Sequence, residues 1–159
     1  MLTQLSLASV MVLITVFVHL TGLAILVRVL RSNHKLIRPL RISPLVLLLG
    51  ASLGIFAIHT VEIWLYALLF VWVDASQDFE QALYFSTVTY ATIGYGDLLM
   101  PKDWRILGAI EGTTGIIMLG WSTAFLVSLL AQLKLFAHDW LTPDRERDDR
   151  KESVQEPKQ

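Results

Sequence analysis

The apolar residues of this chain form three long runs separated by short polar segments. The first extends from about Leu5 to Val29 and carries no charge before Arg28. It is long enough to cross a hydrocarbon core, which takes about 20 apolar residues in a helix. The second runs from Pro44 to Val73, with Trp72 near its far end. Pro44 suits a first helical turn, where its missing N–H is not needed. The third runs from about Trp104 to Phe136. At ~1.5 Å per residue it would be about 50 Å long, so it is expected to tilt or to project beyond the membrane. Between the second and third runs lies Phe79 to Tyr90. This stretch is too short and too polar to span, but it suits a re-entrant helix of about three turns. Asp78 is placed to cap that helix at its N-terminus, and Leu98 to Lys102 reads as a turn-like loop.

The charges orient these elements. Arg28, Arg31, Lys35, Arg38 and Arg41 crowd the first connection, and six further cations lie from Lys134 onward. Only Lys102 and Arg105 fall near the segment between the second and third runs. Cytoplasmic loops collect Lys and Arg, so the pattern predicts the N-terminus outside, three crossings with one re-entrant segment, and the C-terminus in the cytoplasm. Met1 to Gln4 lacks the basic start of a cleaved leader, and the first run is expected to remain as a membrane helix. The roughly three-residue spacing of the first cations invites comparison with a voltage-sensing helix, whose arginines lie within the apolar segment. Here most lie beyond it, which predicts a topogenic loop that also touches anionic lipid. Trp104 and Trp140 are expected as interfacial anchors. The resulting division is a transmembrane helix over 1–30, a basic cytoplasmic loop over 31–43, a membrane domain over 44–136 and a charged, solvated tail over 137–159.

Composition narrows the class. With 54% hydrophobic residues, 17% charged residues and a mean hydropathy of +0.56 in 159 residues, the chain reads as an all-α integral membrane protein with no room for a soluble domain. A net charge of −1 supplies no field for a nucleic-acid partner. The absence of cysteine removes disulfides, thiolate metal sites and cysteine nucleophiles together. No nucleotide-binding or calcium-loop motif is present, no repeat occurs, and neither an enzymatic reaction nor a cofactor is implied.

Residues 92–97 read Thr-Ile-Gly-Tyr-Gly-Asp, preceded by Ser86, Thr87 and Thr89 on the short helix and followed by the third apolar run. In that order the segment from 44 to 136 resembles the potassium-channel pore superfamily: outer helix, pore helix, filter, inner helix. The resemblance implies that carbonyls of Thr92, Ile93, Gly94 and Tyr95, with the Thr92 hydroxyl, bind dehydrated K+. Gly94 and Gly96 would supply backbone conformations that a side chain would strain. It implies four chains around one axis, a homotetramer in a lipid bilayer, because each chain carries a single filter strand. Asp97 would sit at the outer mouth with Asp74, Asp78 and Glu80, and Tyr84 and Phe85 stand where relatives brace the filter tyrosine. Ala91 replaces the first of two threonines found in many relatives, and Val88 stands where some have a clamping glutamate. The extra first helix is absent from the minimal two-helix pore. Two other functions remain to be distinguished: a potassium-transporter subunit, and a non-conducting or hetero-assembling regulator that keeps the pore fold.

Several polar residues inside the apolar runs need an explanation. Glu111 is costly in hydrocarbon unless paired or neutral. It is expected to support the pore helix through Thr87, Thr89 or backbone groups, or else only to fix packing. His59 and Glu62 share a helical face and are expected to form a hydrogen-bonded pair. His19 stands alone in the first helix as a packed neutral histidine. These three resemble a metal site for which the sequence fixes no third close ligand. Gly112, Gly115 and Gly120 are candidates for a bend that opens an inner gate, Gly115 first, with close helix packing as the competing role.

Overall fold

The computed structural model describes residues 1–36 and 44–132, with side chains omitted for 31–36 and Pro44. The basic connection beyond Leu36, the end of the third run past Gln132, Trp140 and the tail lie outside the described residues, as do the side chains of Arg31 and Lys35. The described residues form four helices: α1 over Leu2–Leu36, α2 over Pro44–Trp72, α3 over Phe79–Tyr90 and α4 over Arg105–Gln132. Three are long and apolar enough to cross a membrane, over Leu2–Leu30, Leu45–Trp72 and Arg105–Gln132. The protein is therefore an all-α, multi-pass membrane protein, with α3 too short to cross.

Helix α1 runs seven residues past the expected end at Val29. Nothing between Arg28 and Leu36 breaks it, since that stretch holds no glycine or proline and its straight-chain cations are good helix formers. At α3 the expected cap is in place. Asp78 is extended, and its carboxylate accepts the Gln81 N–H at 2.8 Å. Large apolar side chains such as Phe17 and Phe56 are 70% and 72% exposed on the outer faces. A patch of that kind would drive aggregation in water, but in hydrocarbon it is simply solvated.

Helix α3 lodges between α2 and α4, and α1 lies against both of these long helices. The core beside α3 is built around the Phe70 and Phe85 rings, which meet edge to face at 5.4 Å, with Ala82 and Leu107 around them. Helix α1 enters this core. Its buried stripe, Gln4, Ala8, Met11, Thr15 and His19, repeats every three to four residues and faces inward. Farther along, Gly22 receives Ile58 and Gly54 receives Leu26, so closely that an added Cβ would come within 2.7 Å and 2.5 Å of those side chains. The Gln4 side chain also accepts the Ile106 N–H at 3.3 Å, tying the start of α1 to the first turn of α4. The first helix is thus woven into the core that holds α3.

Candidate functional site

The polypeptide leaves α3 by a tight exit. The Thr92 N–H donates to Thr89 O at 3.0 Å, and the Ile93 and Gly94 N–H groups both donate to Val88 O, at 2.8 Å and 3.1 Å. In a trans peptide the N–H and the preceding C=O point in opposite directions. The carbonyls of Thr92 and Ile93 therefore point away from α3. Along the strand, Thr92, Gly94 and Gly96 take left-handed φ values of 59°, 57° and 76°, alternating with Ile93 and Tyr95. An ordinary pleated strand keeps negative φ throughout and sends successive carbonyls to opposite sides, and this backbone departs from it at every second residue. Thr92 is β-branched, and the left-handed region costs such a residue on the order of 1–3 kcal/mol. The two bonds to Val88 O that follow hold it there. Residues 92–97 are all exposed in the single chain, Ile93 at 50% and Tyr95 at 70%.

The supports differ along the strand. At its far end the Tyr84 hydroxyl donates to Asp97 at 2.7 Å. That bond to a carboxylate raises the Tyr84 phenol above its ordinary value, so it stays a donor at neutral pH. Phe85 turns instead into the core against Phe70. Midway along α3, Ser86 donates to the fully buried Glu111 and also lies 3.1 Å from Ile63 O. Ser86 is thus the partner of Glu111, whereas the Thr87 hydroxyl bonds Leu83 O within its own helix at 2.7 Å. Thr89 presents its carbonyl towards Gly112 of α4.

At the base of the strand four helices meet in one polar cluster. Glu62 of α2 is fully buried and accepts on both oxygens. His19 of α1 lies 2.9 Å from Oε1, His59 lies 2.9 Å from Oε2, and the Tyr90 hydroxyl donates to Oε2 at 2.5 Å. An ionised carboxylate only accepts, so each histidine presents Nδ1–H to it. The Nε2 of His59 then accepts from Ser122 of α4 at 3.0 Å. The His19 ring rests edge-on to Trp121, with centroids 6.2 Å apart, and its Nε2 has no hydrogen-bond partner. His19 is therefore not alone, and α1 supplies the third group beside His59 and Glu62. These three offer possible metal-ligand atoms within 4.8 Å of one another. Their 2.9 Å contacts are hydrogen-bond distances, shorter than the roughly 3.3 Å between ligands on a tetrahedral zinc with bonds of ~2.0–2.1 Å.

A family model described as an ion channel matches residues 48–132, more than half of the chain, from early α2 through the exit of α3 to the end of α4. The chain belongs to this ion-channel family. It is the potassium-channel pore superfamily that the sequence resembles, and α1 lies outside the matched region. No curated protein and no solved structure matches the chain.

Within the channel domain the three α4 glycines occupy different surroundings. A Cβ on Gly115 would overlap the Tyr90 carbonyl, and one on Gly112 would come within 3.3 Å of Thr89 O. Both let α4 press against the last turn of α3. Gly120 has nothing within 4 Å of where its Cβ would be. Gly115→Ala is expected to cost about 1–3 kcal/mol by forcing the backbones apart, whereas Gly120→Ala should be near neutral. Thermal melting of the detergent-solubilised channel checks this, and equal shifts for the two variants would refute a packing role for Gly115.

Tyr90, Ser86 and Ser122 were not legible from the sequence as site residues. Serine and tyrosine within a helix, Ser86 and Tyr90 on α3 and Ser122 on α4, carry no signal of which neighbour they face. The pairing of His19 with Glu62 had one. They and His59 are ionisable groups well inside apolar runs, and an intramembrane carboxylate requires partners.

Proposed function

We propose that this channel conducts K+ passively as a homotetramer, with Thr92 to Gly96 of each chain lining one axial pathway. The observation that carries the proposal is the alternating left-handed backbone at Thr92, Gly94 and Gly96, combined with the return of the Ile93 and Gly94 N–H groups to Val88. In four copies around an axis, the carbonyls of Thr92, Ile93, Gly94 and Tyr95 form stacked oxygen rings that replace the hydration shell of K+, with the Thr92 hydroxyl at the inner end. Asp97, held by Tyr84, contributes negative charge at the outer mouth. Neighbouring chains would also cover the apolar surface of Ile93 and Tyr95 that a single chain leaves open. The protein acts in the cell membrane with its N-terminus outside and its C-terminus in the cytoplasm, and it performs electrodiffusion without a chemical step or a cofactor.

Purified full-length protein in liposomes should pass K+ much faster than Na+ under an imposed gradient, at channel rates. Equal K+ and Na+ fluxes would overturn the selectivity. Turnover at carrier rates would favour a transporter, and an assembled protein that passes neither ion would favour a regulator that keeps the fold.

A further inference from the structure

We propose that the first helix is a positioning element for the filter and that His19 is the residue through which it acts. The proposal rests on the K+ pathway above. His19 is the sole ionisable side chain on the buried stripe of α1, and it is fully buried. Its Nδ1–H fills one oxygen of the Glu62 carboxylate, and the Tyr90 hydroxyl and His59 share the other. Tyr90 is the last residue of α3, two positions before Thr92, and its backbone carbonyl is pressed against Gly115. The carboxylate therefore fixes the end of α3, and that end presents Val88 O, the acceptor that orients the first two filter peptides.

Without His19, Oε1 of Glu62 is a fully buried acceptor with no donor from α1. A buried polar network that is only partly satisfied rearranges, because an unpaired polar group is costly in low dielectric. Tyr90 and His59 share the other oxygen of that carboxylate, and Tyr90, as the last residue of α3, passes the rearrangement to the Val88 acceptor. A filter tolerates little of this, since functional constellations need their groups held to within about 0.5 Å. Val88 itself is apolar and offers no clamp from within α3. Beside the Val88 carbonyl and the Tyr84 bond to Asp97, the end of α3 is held through Glu62 by groups from other helices, the outermost of which belongs to α1.

The test compares the full-length wild type with His19→Leu, which keeps volume but removes the donor, and His19→Gln, which keeps an N–H able to reach Glu62. The coupling is read by amide hydrogen exchange at Ile93 and Gly94 in lipid nanodiscs. Exchange in His19→Leu should rise about tenfold, as expected for easier local opening, with reduced K+ over Na+ selectivity in liposomes, and His19→Gln should restore both. Should His19→Leu not assemble, His19→Ser, whose hydroxyl sits on Cβ and is too short to reach Glu62, takes its place. Unchanged exchange and selectivity in a variant that melts earlier would make His19 merely structural and overturn the proposal. A Zn2+-dependent change in exchange that is lost in His19→Leu would also overturn it, by assigning the cluster to a metal. Wild-type protein that passes no K+ would sink the K+ pathway alone, because the exchange comparison still decides whether α1 is coupled to residues 92–94.

Discussion

Gly96→Ala or Gly94→Ala is expected to abolish K+-selective conduction while the chain still inserts and assembles. The reason is conformational. Neither glycine has an atom within 4 Å of where a Cβ would stand in the single chain. Both, however, hold left-handed φ values, 57° at Gly94 and 76° at Gly96. A side chain in that region costs roughly 1–2 kcal/mol, and a tetramer repeats the cost in all four chains. The simplest relief is for the peptide to rotate back towards an extended conformation, which in the proposed pathway would swing its carbonyl off the axis and remove oxygens from a ring that replaces hydration water. Thr92 bears such a strain already, but its geometry is held by the Ile93 and Gly94 N–H bonds to Val88 O. Reversal potentials and liposome flux in K+ against Na+ measure the effect. An alanine variant with wild-type selectivity would mean that the carbonyl rings are not the conduction path.

The largest loss of stability is expected from Glu62→Ala. Glu62 accepts from His19, His59 and Tyr90, and Ala leaves all three facing a fully buried gap. Removing one partner of a buried charged network costs about 3–5 kcal/mol, because the remaining groups stay desolvated and unpaired. Glu62→Gln should cost less. Its amide oxygen can still accept from one donor, and a neutral histidine can shift its tautomer to accept from the amide N–H. The melting temperature of the solubilised protein should therefore fall in the order wild type, Gln, Ala. Glu62→Leu gives a further check. If it melts like the wild type, the cluster is an ordinary packing position and the polar network contributes nothing to stability.

Much of the fold was legible because membrane physics leaves few choices. A run such as Pro44–Trp72 must satisfy its own backbone in hydrocarbon, so it is helical whatever its neighbours do. Asp78 capping α3 follows from local chemistry in the same way. The hexapeptide at 92–97 was legible because its two glycines and their spacing have a backbone meaning. The supports were less so. Glu111 was expected to find a partner on α3, but which hydroxyl faces it depends on the rotation of α3 between α2 and α4. That rotation selects Ser86. Phe85 and Tyr84 are neighbours in sequence, yet one enters the core and the other reaches Asp97, because adjacent helical positions point about 100° apart.

The amino-acid sequence alone determined that the chain crosses a membrane three times, that a short helix precedes a glycine-spaced strand, and which residues that strand contains. Each of these depends on hydropathy and backbone chemistry within a single segment. Only the tertiary structure decided what the first helix packs against. His19 and Glu62 lie 43 residues apart, and their 2.9 Å contact depends on how α1 seats Gly22 against Ile58 and Leu26 against Gly54. Gly115 shows the same division. The sequence allowed it to be a hinge or a packing notch, and the Tyr90 carbonyl lying against it gives the notch a physical cause, since a close approach of two backbones leaves no volume for a Cβ.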